Sequence, residues 1–532
     1  MSSAGLMDIT DHGGQPNISV LSHDASERAK RLRRFEDVGL SRTHNGFYYI
    51  SHYFPIRAQS EVTAAEAARL LASVDSTGGF ETYMHFPFCE VLCTFCHFFK
   101  ERSKAEVGPR EDTVLNALEH EINLYGSILG KIDAHSLQMG GGTPSLMSNA
   151  GLKRILKFVH QRLSFDSTAE KKIEIYPKYY DRAELSEKLE ILHDYGFTDI
   201  VIDLESGNQK TLNVIGRGNS SLEAYCEVVE LCVARGFKSI VTALMMGLPH
   251  ETFESLHRTV ETILAIPEVQ VVNTFPTIIR EGDAIFRHLK KRPQDFADAE
   301  GRDAMWMFVR EQFRAHGFTE GPISYQHRPT KRPQQQTEKF ECVNLLGFGP
   351  SAFAYWNGPD WAAQCFNFCN LHDYYGRLEK NELPLWRAGV MGQEERSRRK
   401  IIFGLANCKT ENLNAIEERF GISVDQVFGK MLNGLLELGL IKLDVSGNGI
   451  YYTEEGLCRL EEISYFFGSD FVNDIVARPV PIENPHQAEL MRFNFYPFVE
   501  QDARAKFRRF VENQPSAFMH RLADGIATPL IS

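Results

Sequence analysis

Tyr83-Met84-His85-Phe86-Pro87-Phe88-Cys89-Glu90-Val91-Leu92-Cys93-Thr94-Phe95-Cys96 is a β-prone apolar run that opens onto three cysteines. The run predicts a buried strand at residues 82–86, and the C-x3-C-x2-C spacing puts three thiols on the loop that leaves it. Soft thiolates select zinc or iron–sulfur clusters. Three thiolates hold three irons of a four-iron cluster and leave the fourth open to a small ligand. A closed zinc site wants four ligands, usually two C-x2-4-C pairs or cysteine with histidine. No second pair follows at that spacing, and His97, beside Cys96, is the alternative fourth ligand. The first six residues carry no charged segment leading into an apolar one, so no secretory leader is expected. In a cytoplasmic chain, clustered cysteines favour metal binding or catalysis over disulfides. Cys365 and Cys369 repeat the C-x3-C spacing and are expected half-buried on one helix face. Phe86, Phe88, Phe95, Phe98 and Phe99 are expected to keep the cysteine loop dry.

Downstream, the chain alternates between two periodicities. A helix is predicted over 111–129, with Val114, Leu118, Ile122 and Tyr125 on one face. A strand at 136–139 ends in Gly140-Gly141-Gly142-Thr143-Pro144-Ser145. Then come a helix over 150–163, a strand at 172–176, a helix over 183–195 and a strand at 199–204. A short segment at 208–215, a helix over 222–236, a strand at 239–246, a helix over 252–264 and a strand at 269–275 complete the series. Strands separated by helices need right-handed crossovers and therefore a parallel sheet. Residues 240–246 form one apolar run, as a strand buried on both faces does. Six such units predict an α/β fold, a partial (β/α)6 TIM-like barrel. In closed barrels and open sheets alike, sites sit at the carboxyl ends of the strands. The cysteine loop follows strand one, the glycine run follows strand two, Glu174 lies in strand three and Glu205 follows strand four. The glycine run lacks the Gly-Lys-Ser/Thr of a Walker A loop and the Rossmann spacing. It is expected to cradle an amino acid head group with N–H groups near a helix N-terminus.

The 532 residues are 43% hydrophobic and 24% charged, which suits a folded chain with a large core. The expected segments are an N-terminal extension and substrate-side segment (1–75), the barrel (76–285), a connecting region that completes the barrel (286–395), a winged-helix-like lid (396–485) and a tail (486–532). Polar or Pro-rich breaks fall at 327–339 and 478–486. A net charge of −12 argues against nonspecific nucleic-acid binding, which needs a basic surface. No apolar run of about 18 residues marks a membrane span. Helices over 400–420 and 424–438, then a hairpin of 440–445 and 450–453 around Ser446-Gly447-Asn448-Gly449, predict the winged helix. Basic residues are sparse over 424–438, so a lid is expected rather than a DNA reader. Phe493, Phe495, Tyr496 and Phe498 mark an amphipathic tail expected to pack on the core.

As a set, C-x3-C-x2-C after His85-Phe86-Pro87-Phe88, the Gly140–Ser145 run and Gly247-Leu248-Pro249 resemble the radical S-adenosylmethionine (SAM) superfamily. Asn344-Leu345-Leu346-Gly347-Phe348-Gly349-Pro350-Ser351-Ala352 narrows the resemblance to the oxygen-independent coproporphyrinogen III oxidase group, over residues 45–470. The resemblance implies that Cys89, Cys93 and Cys96 ligate a [4Fe-4S] cluster and that SAM binds the open iron through its amino and carboxylate groups. It further implies an electron donor such as flavodoxin or ferredoxin. One electron then cleaves SAM to methionine and a 5′-deoxyadenosyl radical, which takes a hydrogen atom from a small-molecule substrate. By position, Tyr83, Phe95, Gly141, Gly142, Thr143, Glu174, Glu205, Arg217 and Phe353 match SAM-contacting places, and Tyr83 and Glu205 are the candidate catalytic side chains. Arg217 suits the SAM carboxylate because a guanidinium forks onto two oxygens. Glu174 is expected to hold a ribose or amino group.

Four places depart from the oxidase pattern. Phe98 stands where the group has an extra cysteine, Ala243 where it has an acidic residue, and Glu205 where it has glutamine; residues 47–55 lack the arginine that meets a substrate propionate. A site built to pair a carboxylate loses affinity without its partner. The departures point toward the family's methyltransferases and cyclopropanases of unsaturated natural products, which implies a second SAM molecule. The aromatic-rich segments 47–54 and 95–99 suit a planar apolar substrate. Radical methylation or cyclopropanation is therefore the leading expectation. The alternatives are oxidative decarboxylation of coproporphyrinogen III and, in another class, a haem- or cluster-carrying chaperone.

Overall fold

Seven parallel strands make the centre of the main sheet. They are β1 (Glu81–Phe86), β2 (Ile132–Gly141), β3 (Leu163–Glu174), β4 (Asp199–Glu205), β5 (Ile240–Met246), β6 (Val269–Pro276) and β7 (Leu345–Phe348). Their order in space is β7-β1-β2-β3-β4-β5-β6, all neighbours parallel. The computed structural model describes residues 18–41, 53–103, 107–279, 283–331, 333, 339, 341–408, 411–444, 449–477 and 501–519. All seven positions of β5 are buried, as its unbroken apolar run requires. The crossover helices are α1 (Pro109–Leu129), α2 (Asn149–Arg162), α3 (Arg182–Asp194), α4 (Leu222–Ala234) and α5 (Phe253–Leu264), with the short helix Gln209–Val214 before α4. α1 starts on Pro109 with Glu111 and Asp112 in its first turn, where a fixed φ and negative charge favour initiation. It buries Val114, Leu118, Ile122 and Tyr125, the face its periodicity marks. The fold is thus mixed α/β with a parallel barrel-like sheet whose strand order, among the described residues, is open.

β7 is an addition to the predicted series. It pairs with β1 from Leu345 opposite Glu81 to Phe348 opposite Met84, more than 260 residues away in sequence. Antiparallel strands extend both edges: Phe353–Asn357, Ala362–Asn367 and Leu385–Met391 beyond β7, and Tyr325–His327 beyond β6. Cys365 is therefore on a strand, fully buried, and Cys369 follows it in a turn; the expected helix face is a sheet because Ala362–Asn367 is buried at every position.

Helices Gln393–Ala406, Leu413–Phe420 and Gly429–Glu437 pack with a three-stranded sheet of Glu411–Asn412, Gly449–Tyr452 and Ile441–Leu443. The expected hairpin turn at 445–448 lies outside the described residues. Helix Gln501–Glu512 buries Phe507, whose ring centroid is 4.1 Å from that of Phe466. The aromatic tail 493–498, the break at 478–486 and residues 47–52 also lie outside the described residues. Among those described, no helix is long and apolar enough to cross a membrane.

Candidate active site

The cysteine loop is pinned on every side by backbone bonds. Phe88–Cys89 pairs with Glu101–Arg102, and the Ser103 N–H donates to Cys89 O at 2.8 Å. The Thr94 N–H donates to Ile215 O at 2.9 Å, and the Cys96 N–H to Cys93 O at 3.2 Å. Lys100 Nζ donates to Cys96 O at 2.7 Å. The glycine run of β2 is stapled to the same loop. Gly142 N–H donates to Phe86 O and Thr143 N–H to Phe88 O, both at 2.7 Å. Thr143 Oγ1 lies 3.6 Å from Cys89 Sγ. Gly141 has φ +106°, and a Cβ there would strike the His85 ring at 2.6 Å, so only glycine fits.

These segments wall a cavity of about 400 Å³ at the carboxyl ends of the strands. Cys89, Cys93 and Cys96 line it, and so do Tyr83, Phe95, Gly141, Gly142, Thr143, Glu174, Glu205, Arg217 and Phe353. Every site residue singled out from sequence thus meets the others around one space. Gln138, Asp203, Ala243, Asn273, Tyr325 and Lys339 line it as well. Apart from Ala243, which the comparison with the oxidase pattern had singled out, reading the sequence missed these. Asp203 was visible as an acid inside the apolar run Val201-Ile202-Asp203-Leu204; the others needed the strand register.

Charge in the cavity is concentrated at Arg217. Its guanidinium is 3.6 Å from Glu205 Oε1, 3.8 Å from Cys93 Sγ, donates to the Asp203 carbonyl and lies over the Tyr176 ring at 4.6 Å. Arg217 and Glu205 are 5% and 7% exposed, so this is a buried pair rather than a surface one. Glu205 sits at φ +65°, a backbone state that non-glycine residues adopt at a cost. Burial pushes the carboxyls of Glu174, Asp203 and Glu205 upward; Arg217 works against this at Asp203 and Glu205, while Asp203 adds to it at the other two. Glu174 accepts from the Gln138 side chain and the Gly141 N–H, and Lys172 pairs instead with Glu170 at 3.2 Å.

Tyr83 stacks on Phe353 at 5.4 Å and its hydroxyl meets His85 Nδ1 at 3.0 Å. His85 Nε2 is 3.0 Å from Phe99 O, which can only accept, so Nε2 carries the proton and Nδ1 accepts from Tyr83. Burial lowers the His85 pKa to about 4, so the ring is neutral. Phe86, Phe88 and Phe99 are buried around the loop, but Phe98 is 50% exposed and shields nothing. Its ring instead lies 5.0 Å from that of His97.

The residues fit a cluster and SAM. Among the described residues, no three His, Cys, Asp or Glu side chains converge to hold a single metal ion. Three thiols on the wall of a roomy cavity suit a larger inorganic unit. Beside them, Glu205 Oε2 and Arg217 Nε are buried without a hydrogen-bond partner. Such groups are costly unless a ligand completes them. The glycine run offers backbone close to Cys89, and the guanidinium offers a fork to a carboxylate. Cys89, Cys93 and Cys96 would hold the cluster; Arg217, Glu205 and the glycine run would hold the amino acid end of SAM.

Comparisons with known proteins agree. Residues 83–263 match the model of the Radical SAM superfamily. The chain is similar to the heme chaperone HemW of Bacillus subtilis, 25% identical over 376 residues that span 70% of this chain and 95% of that protein. It is similar to the oxygen-independent coproporphyrinogen III oxidase of Escherichia coli, 26% identical over 400 residues, 72% of this chain and 84% of that one. The solved structure of the Escherichia coli coproporphyrinogen III oxidase, at 21% identity, shares the fold with a TM-score of 0.66 over 77% of this chain and 94% of its own. Over residues 83–263 the barrel is thus similar to the Radical SAM superfamily, and the cofactors are a [4Fe-4S] cluster and S-adenosylmethionine.

Proposed function

We propose that this protein is a radical SAM enzyme that oxidises a carboxylate-bearing pyrrolic substrate, in the manner of the coproporphyrinogen III oxidases it resembles. Bound together, cluster and SAM supply a one-electron cleavage that yields a hydrogen-abstracting group. The observation that carries the reading is Lys339. It lines the same cavity as the three thiols, with its ammonium 5.0 Å from the Phe353 ring centroid and 5.8 Å from that of Tyr355. Burial lowers its pKa to about 7. A substrate carboxylate beside it restores the charged form. Lys339 thereby offers the cation that the arginine missing from residues 47–55 would have supplied. The aromatic wall of Tyr83 and Phe353 suits a flat ring. In oxidative decarboxylation, a propionate side chain loses one hydrogen atom, then carbon dioxide and one electron to an acceptor, and a vinyl group remains.

Methylation and cyclopropanation, the leading expectation from the departures, find no support among the named relatives, which are oxidases and heme chaperones. A second reading, heme carriage, is favoured by the alignment with HemW over 95% of that protein. One experiment separates them. Anaerobically reconstituted protein is given dithionite, SAM and coproporphyrinogen III. 5′-Deoxyadenosine with carbon dioxide and a vinyl product supports the proposal. S-Adenosylhomocysteine with a methylated product would favour methyl transfer. Stoichiometric haem binding without SAM turnover would favour carriage. Lys339→Gln is expected to raise KM for the porphyrinogen more than it lowers kcat, because the lost contact is made in ground and transition states alike.

A further inference from the structure

Among the described residues, one cation beside the thiols meets no acid. Lys100 lines the cavity together with Cys89, Cys93 and Cys96. Its ammonium donates to Cys96 O at 2.7 Å and to Phe98 O at 3.2 Å, so two of its three N–H groups are spent on carbonyls of the cysteine loop. The next two residues, Glu101–Arg102, pair with Phe88–Cys89, which fixes the Lys100 backbone against the same loop. The side chain is thus tied down at its root and at its tip.

The acids around the loop are engaged elsewhere. Glu101 pairs with Arg110 at 2.9 Å, and Glu90 pairs with Lys178. Arg217, the other cation beside a thiol, has Glu205 at 3.6 Å. No carboxylate among the described residues forms an ion pair with Lys100; its partners are the two carbonyls. Carbonyl dipoles hold an ammonium in place without cancelling its unit charge.

A [4Fe-4S] cluster on three thiolates is an anion, and the electron that reduces it makes it more negative. Its potential follows net charge, hydrogen bonds to sulfur and exposure. A positive charge held beside it attracts the reduced form more than the oxidised one. The attraction is strong where water is excluded, and Phe86, Phe88 and Phe99 are buried around this loop.

We infer that Lys100 is a fixed positive charge that raises the reduction potential of the cluster and so sets how strong a one-electron donor the protein requires. One electron passes from a reductant to the cluster; no bond forms or breaks at Lys100. The inference rests on the cluster reading, and it makes Lys100 a positioning residue rather than a catalytic one.

The test is a redox titration of the anaerobically reconstituted protein without SAM, followed by electron paramagnetic resonance, with dithionite as reductant. Lys100→Met and Lys100→Gln are each expected to disfavour reduction roughly tenfold, a shift of about 59 mV to more negative potential for a one-electron couple. Iron and sulfide content is expected to stay near wild type. Lys100→Arg keeps the charge and is expected to titrate like wild type. Lys100→Gln keeps a donor for the carbonyls without the charge, so it separates charge from loop bonding. A Lys100→Gln potential equal to wild type, or no negative shift in either neutral variant, overturns the inference. Loss of the cluster from both neutral variants, with Lys100→Arg fully loaded, overturns it too and makes Lys100 a clamp of the loop. A wild type that takes up no iron and sulfide removes the cluster reading itself.

Discussion

Arg217 is the residue on which the cavity's electrostatics turn. It touches Glu205, the Cys93 sulfur, the Asp203 carbonyl and the Tyr176 ring at once. A lysine has the charge but neither the fork nor the flat face. Arg217→Lys is therefore expected to weaken S-adenosylhomocysteine binding about tenfold or more, while iron and sulfide content stay near wild type. Unchanged affinity in a titration would sink the assigned head-group role. The neutral His85 argues similarly for Tyr83. With Nε2–H spent on Phe99 O, the ring can only accept from the tyrosine, so the hydroxyl hydrogen is drawn away from the cavity and an oxygen lone pair faces it. Tyr83→Phe removes that acceptor and leaves Nδ1 buried without a donor, at about 1–3 kcal/mol of stability. A thermal melt of the apo protein checks it; a shift within error would mean the bond contributes nothing.

At the scale of elements, two contacts hold the site's frame. The first is the glycine run against the cysteine strand. A Cβ at Gly142 would lie 2.5 Å from Phe88 O and 2.8 Å from Phe86 O, the carbonyls that accept the Gly142 and Thr143 N–H groups. Gly142→Ala must push β2 off the loop, which costs about 1–3 kcal/mol, and is expected to lower iron and sulfide per chain after anaerobic reconstitution. Full cluster loading in that variant would show the staple to be dispensable. The second contact is Glu121 of α1, buried beneath the turn after β7. It accepts from Gly349 N–H and Asn367 Nδ2 at 2.7 Å and from Tyr374 OH at 2.6 Å. Burial still pushes it up to about 7 from 4.5. A folded-state pKa above the unfolded one gives stability that is present below about 4.5 and lost as pH rises through about 7. Glu121→Gln cannot ionise, so its deficit relative to wild type is expected to narrow by up to ~3 kcal/mol between pH 5 and pH 8. Denaturant midpoints at the two pH values measure this, and a constant gap would contradict it. These elements also mark how far the sequence is readable. β5 was legible as a continuous apolar run buried on both faces, and the other five by their regular alternation with amphipathic helices. β7 was not, since four residues carry no period and their partner is far along the chain. Ala362–Asn367 hid for a related reason: with both faces buried, its Gln364 and Cys365 give no alternation. The cysteines, glycines and Arg217 were legible as chemistry, whereas Asp203 and Asn273 joined the cavity wall only once strand register placed them there.

At the scale of the molecule, the question is what holds the C-terminal helices to the barrel. Arg459, at the head of helix Leu460–Phe467, is bonded to Asp303 of helix Ala299–Ala315 at 2.8 Å, with both side chains 3% exposed. Helix Ala299–Ala315 in turn closes on the barrel, where its Trp306 Nε1 donates to Thr274 O of β6 at 2.9 Å. The ion pair therefore lies on the route that ties the winged-helix-like part to the strand bearing Asn273. Burying two charges costs several kcal/mol each, which their attraction repays only when both are present. Asp303→Ala strands the guanidinium and is expected to cost about 3–5 kcal/mol. Replacing both partners, Asp303→Leu with Arg459→Met, removes the charge problem and is expected to cost much less than either half alone. Urea unfolding of wild type, Asp303→Leu, Arg459→Met and the double variant forms a complete cycle. If the single losses simply add, the pair is not coupled, and the attachment of the C-terminal helices rests on apolar packing such as Phe428 against Phe467 instead.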